Sequence, residues 1–179
     1  MLKITVKGSE IFNNETNTFI PVKEQNLQLE HSLVSIAKWE SKWHKPFLSK
    51  DEKTSEEIID YIKCMTLTQN VDPNVYMVLS NENIKDIEAY INDSMTATWF
   101  ANNDHKKSRE IITAEIIYYW MIALNIPPEY QKWHLNRLLT LIEVCNIKNQ
   151  PPKKMKRKDL INRNKSLNEA RRKALNSEG

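Results

Sequence analysis

The first thirty residues alternate between apolar and polar positions. The alternation runs through LKITV (Leu2 to Val6), TFIPV (Thr18 to Val22) and NLQLEH (Asn26 to His31), with GSEIFNNETN between the first two. Side chains two apart share one face of a strand, so this period predicts a small antiparallel β element at the N-terminus. After His31 the period lengthens: Leu33, Ile36, Ala37, Glu40 and Trp43 recur at helical spacing. Ser32 can cap that helix and Pro46 stops the run.

Thr54-Ser55-Glu56-Glu57 has the form of a capping box, with Ile58, Tyr61, Ile62 and Met65 on one face behind it. Pro73 opens a short segment holding Val75, Tyr76 and Leu79. Ser80 then caps a helix carrying Ile84, Ile87, Tyr90 and Ile91. MTATWF (Met95 to Phe100) is rich in β formers and reads as a further strand pairing with the N-terminal element.

The strongest helical pattern is REIITAEIIYYWMIALN (Arg109 to Asn125), apolar on most of its surface, followed by Pro127-Pro128 and EYQKWHLNRLLTLIEVCNI (Glu129 to Ile147). An all-round apolar helix predicts a buried central element, and the stiff Pro-Pro connection predicts a central αα-hairpin. Its expected core is Ile116, Tyr119, Trp120, Ala123, Leu135, Leu138, Leu139 and Ile142. The fold class is therefore mainly α with a small N-terminal antiparallel β element (α+β).

From Lys148 the composition changes. NQPPKKMKRKD has no apolar face, and only Leu160, Leu167, Ala170, Ala174 and Leu175 suggest a terminal helix with a basic side. The expected organisation is a single domain over 1–150 and a basic, flexible tail over 151–179. The net charge of +3 hides this split: residues 151–179 hold ten Lys/Arg against three Asp/Glu, a net of +7, which leaves −4 on residues 1–150. Only the tail should be drawn to acidic surfaces or nucleic acid.

No apolar run approaches the roughly 18 to 20 residues that span a bilayer, and the first residues lack an apolar leader. The expectation is a cytoplasmic protein with no membrane partner. Cys64 and Cys145 sit within amphipathic helical patterns and read as buried free thiols. The chain has only two glycines, which excludes the glycine-rich loops that cradle phosphates. His31, His44, His105 and His134 have no metal-ligand spacing and no nucleophile or carboxylate partner. We therefore name no catalytic residue, metal ligand or cofactor, and read the protein as not an enzyme. Asn14, Asn92 and Asn164 begin glycosylation-type triplets, which carry no meaning without a secretion signal.

Five tryptophans remain: Trp39, Trp43, Trp99, Trp120 and Trp133. Trp39 and Trp43 stand one turn apart on a helix face, where packing in the core is the simpler reading. An exposed member would be a binding anchor. Trp39, Trp43 and Trp133 are the candidate protein-binding residues. Lys153, Lys154, Lys156, Arg157, Lys158, Arg171, Arg172 and Lys173 are the candidate contacts to an acidic partner or nucleic acid. The basic run has no interleaved aromatics, so its nucleic-acid signal is weak, and protein binding is favoured.

The stretches LEHSLVSIAKWESKWHKPFL (Leu29 to Leu48), DYIKCMTL (Asp60 to Leu67), MTATWF and EIITAEIIYYWMIALNIPPEYQKWHLNRLLTLIEVCNIKN (Glu110 to Asn149), with PPKKM (Pro151 to Met155) in a basic tail, resemble a phage-encoded family similar to tail assembly chaperones of long-tailed bacteriophages. The resemblance covers most of the chain. It implies a non-enzymatic helper in the bacterial host cytoplasm that coats the tape-measure protein and recruits tail-tube subunits, alone or as an oligomer. The alternative is a structural virion protein of the tail or head-tail connection. A third reading is a nucleic-acid-binding phage regulator using the basic C-terminus.

Overall fold

The structure is a computed structural model describing residues 1–14, 17–100, 111–150 and 157–175, with the backbone alone for 157–160. The chain divides into two compact units, Met1–Ile147 and Lys148–Gly179. Among the described residues no helix is long and apolar enough to cross a membrane.

The first unit opens with four strands: β1 (Leu2–Val6), β2 (Ser9–Asn13), β3 (Thr18–Val22) and β4 (Gln25–Leu29). β1 pairs antiparallel with β4 and β2 with β3 in one shared register, from Leu2 opposite Leu29 to Asn13 opposite Thr18. The four strands thus form one ribbon, interrupted at Lys7-Gly8 and Lys23-Glu24. The chains approach closely there, because a Cβ on Gly8 would meet the Val22 carbonyl oxygen at 3.2 Å. Three of these strands follow from the sequence alternation; β2, in the Asn-rich stretch, does not.

The two halves of the ribbon have different surroundings. Ile4, Val6, Leu27 and Leu29 of the inner half are buried. At the outer end Phe12 and Phe19, directly opposed, form a tilted exposed aromatic pair 5.1 Å apart. The open edge of β4 is covered where the chain leaving the second helix runs beside it: Glu30 donates to the Met65 carbonyl (2.9 Å) and Leu67 to that of Gln28 (2.8 Å). Such cover removes an edge that would otherwise recruit another strand.

Five helices complete the first unit: α1 (Leu33–Trp43), α2 (Ser55–Met65), α3 (Asn81–Asn92), α4 (Ala114–Ala123) and α5 (Leu135–Asn149), the last running into the second unit. Single turns of 3₁₀ helix at Pro73–Met77 and Pro128–Lys132 precede α3 and α5. Side chains close the N-termini as expected: Ser32 caps α1, Thr54 and Glu57 form the capping box of α2, and Ser80 caps α3. α1 ends on His44, which adopts a left-handed conformation (φ 52°) ahead of Pro46. The core lies between the inner ribbon and these helices, with Leu33, Ile36, Tyr61, Ile62, Met65, Ile87, Ile117, Leu135 and Leu138 buried.

Two expectations are corrected. α4 and α5 do flank the Pro-Pro connection, and Leu135, Leu138 and Ile142 are buried. α4, however, packs chiefly on α1, so only its side bearing Ala114, Ile117 and Met121 is fully covered. Ile116, Trp120 and Leu139 are half-buried, while Tyr119 and Ala123 face solvent. The segment Met95–Phe100 is irregular rather than a strand. Asp93 accepts from the Met95 amide and Thr96 from that of Thr98, and these local side-chain bonds compete with strand pairing.

In the second unit α6 (Arg157–Leu175) is a continuous helix of 19 residues, with every described side chain exposed.

Candidate interaction surface

The contact between α1 and α2 is polar as well as apolar. Trp39 is 1% exposed, and its indole donates to the Glu57 carbonyl at 2.9 Å. Trp43 stacks on Trp39 with ring centres 6.2 Å apart and donates to Asp60 at 2.9 Å. Lys42 also pairs with Asp60, and Lys45 with Glu57 at 2.5 Å. Burial pushes the Asp60 carboxyl up, but the hydrogen bonds from Lys42 and Trp43 outweigh it and hold it below the usual range. The Lys45 ammonium and the Thr54 amide likewise hold Glu57 low. Trp39 is thus a core residue with its one donor satisfied, and it presents almost no surface to a partner. Trp43, half-buried at the edge of the seam, retains some surface.

Glu40 is a buried carboxylate whose role the sequence conceals. Its Oε1 accepts from the Phe47 amide (2.7 Å) and its Oε2 from the Ala114 amide (2.8 Å), the first residue of α4. One side chain therefore fixes the turn after α1 and caps α4, where an anion is favoured by the helix dipole. The signal was a carboxylate recurring with Leu33, Ile36 and Ala37 on an apolar stripe. Beside it lies a cleft of about 360 Å³ lined by Ser41, His44, Lys45, Thr113 and Glu115 among others. Ser41 donates to the Lys38 carbonyl at 2.8 Å, so its hydroxyl is engaged in capping the helix backbone.

His31 and His134 meet in the core. His134 donates from Nε2 to the Tyr90 carbonyl at 2.9 Å, which leaves Nδ1 without a proton. Among the described residues that Nδ1 has no hydrogen-bond partner. His31 shares a 2.5 Å hydrogen bond with the Tyr61 hydroxyl, and its carbonyl accepts from the Leu135 amide at 2.7 Å. Burial, and secondarily His134, lower the His31 pKa to about 4. Burial also lowers that of His134. The pair ties the start of α1 to α2, α3 and α5. Among the described residues no group of three or more His, Cys, Asp or Glu is arranged to hold a metal.

The surface offers apolar groups instead. On α4, Tyr119 is 66% and Ile122 75% exposed, one helical turn apart, beside exposed Ala123. Tyr118 on the same helix donates to Gln131 at 2.9 Å, tethering the 3₁₀ turn that follows. From that turn Tyr130 stacks on Trp133 at 4.1 Å, and the Arg137 guanidinium lies 4.0 Å from the indole centre. Trp133 is half-buried, its faces taken by neighbours within its own segment. Compared with known proteins, the chain matches no family model, no curated protein and no solved structure.

Of the predicted basic contacts, Lys153, Lys154 and Lys156 lie outside the described residues, as does His105. Arg157 and Lys158 begin α6, and Arg171, Arg172 and Lys173 are exposed on its last turns. Tyr119 and Ala123 were expected in the core. A helix apolar on every side does not disclose in its sequence which side stays uncovered.

Proposed function

We propose that the protein is a non-enzymatic binding helper, a phage tail assembly chaperone that holds a helical tape-measure client and brings tail-tube subunits to it. The observation that carries this reading is the outer face of α4. Tyr119, Ile122 and Ala123 form an apolar strip at the spacing used when amphipathic helices dock side by side. An exposed Tyr beside an exposed Ile offers a rigid anchor with an adjoining aliphatic surface, as binding hot spots do. The same helix is held rigidly from behind by α1 and by Glu40 at its N-terminus. The sequence resemblance supplies the identity of the client, and the exposed strip supplies a surface for it.

The test is co-expression with overlapping tape-measure fragments and pull-down at low and high salt. Wild-type protein should retain a fragment at both, because apolar burial is not screened as exposed charge is. The double variant Tyr119→Lys/Ile122→Lys, on an already exposed face, should keep its circular dichroism spectrum and lose the fragment. A wild-type protein that retains no fragment, or that is found in purified virions, overturns the chaperone reading.

A further inference from the structure

We propose that α6 is a DNA-binding helix that lies in the major groove of a B-form duplex, an activity separate from the client binding assigned to α4. The charge of the molecule is divided between its units. Met1–Ile147 holds fifteen Lys/Arg against twenty Asp/Glu, a net of −5, and Lys148–Gly179 holds eleven against three, a net of +8. α6 itself carries seven Lys/Arg and two carboxylates, Asp159 and Glu169. All its described side chains are exposed, and at about 1.5 Å per residue it is long enough to lie in a groove across several base pairs.

The arrangement of those cations selects the partner. At 3.6 residues per turn, Lys158, Lys165 and Arg172 fall in one line along the helix, with Arg157 and Lys173 flanking it. Arg163 and Arg171 stand on the opposite half of the circumference. An acidic protein helix would be met from one face. A duplex groove has phosphates on both walls, so it can be met by cations on both flanks of an inserted helix. The major groove of B-DNA admits a helix, whereas the deep, narrow major groove of A-form RNA does not.

The face that carries Lys165 and Arg172 also holds groups suited to base edges. Ile161, Asn164, Lys165, Asn168, Glu169 and Arg172 line one shallow groove on the helix surface. Asn amides and Arg guanidinium groups are the donors that reach base edges in the major groove, and Glu169 is the one unfavourable charge on that face. The consecutive charges of Arg171, Arg172 and Lys173 repel one another. Phosphates that neutralise those charges would stabilise the helix as they bind it.

The experiment is fluorescence anisotropy of the full chain with a labelled duplex of about 20 base pairs over a salt series. Affinity should fall roughly a hundredfold between about 50 and 200 mM salt, as neutralising about four phosphates requires. Two charge-neutral variants that keep good helix formers, Lys165→Gln/Arg172→Gln and Arg163→Gln/Arg171→Gln, should each reduce the salt slope by about two. If only the first pair changes the slope, the polyanion touches one face and the groove reading is overturned. No binding at about 50 mM overturns it as well. So does displacement of the duplex by polyglutamate as effectively, charge for charge, as by unlabelled duplex, which would transfer α6 to an acidic protein partner. None of these measurements depends on α4, so the client-binding reading stands or falls separately.

Discussion

The imidazole of His31 packs edge-on against that of His134 inside the core, with ring centres 5.0 Å apart. Neither ring is placed to be charged. A proton on Nδ1 of His134 would find no acceptor among the described residues, and a second charge on His31 would face the first.

The pair therefore sets a pH dependence. In the unfolded chain His31 titrates near 6.5; in the folded protein it titrates at about 4. Between those values the unfolded state binds more protons, so stability is complete above about pH 6.5 and is lost as pH falls toward 4. For His31 the loss over that window is about 3 kcal/mol. His134 adds in the same direction, because its burial outweighs the Tyr90 hydrogen bond and the nearby Glu30 and Asp93, with the N-terminal ammonium assisting the burial. Glu57 and Asp60, held low, contribute their loss only below the ordinary carboxylate range. Urea midpoints at pH 7 and pH 5 should differ clearly, and His31→Gln should narrow the gap. Equal midpoints in the wild type would refute the assignment.

The sequence disclosed what depends on local periodicity and capping. Ser32, Thr54 and Ser80 cap the helices they were expected to cap, because a cap is decided by residues within one turn. It did not disclose partners far along the chain. Glu40 and Ala114 are separated by a stretch that no local rule spans, and His31 meets His134 only because the chain entering α5 runs beside Ser32 at the start of α1. Tyr119 and Tyr118 are adjacent and chemically identical. Which of them faces water is settled by α1, and no pattern within α4 records it.

Glu40 holds two backbone amides at once, which makes it costly to remove. Glu40→Ala should destabilise by about 2 to 4 kcal/mol, since two buried donors lose a charged acceptor. Glu40→Gln keeps one carbonyl acceptor and should cost about half as much. Chemical denaturation at pH 7 measures both. A cost below about 1 kcal/mol for the alanine variant would mean that water replaces the carboxylate.

The stacked tryptophans should separate sharply despite their one-turn spacing. Trp39 fills the core and donates to the Glu57 carbonyl, so Trp39→Ala should cost about 3 to 5 kcal/mol. Trp39→Phe keeps most of the ring volume and should lose chiefly the hydrogen bond, about 1 kcal/mol beyond the repacking. Trp43 is half-buried, and Trp43→Ala should be the milder of the two truncations. Thermal unfolding of the three variants decides the order. Equal effects from the two alanine variants would place both rings in the core.

The last prediction concerns how far the first unit stands alone. α6 shows only exposed side chains where they are described, and the core of Met1–Ile147 is built from its own ribbon and helices. Few apolar groups in the second unit could contribute to that core, because Leu160, Ile161, Leu167 and Leu175 are spread over a helix carrying seven cations. A chain ending at Gln150 retains all of α5 and should unfold cooperatively, with a midpoint close to that of the full chain. Its net charge changes sign, so its isoelectric point should fall from about 8.7 into the acidic range. It should also lose any affinity for duplex DNA while still retaining a tape-measure fragment through α4. If the shortened chain is insoluble, or unfolds far earlier, the second unit packs into the fold of the first, and the separation of the two binding activities fails with it.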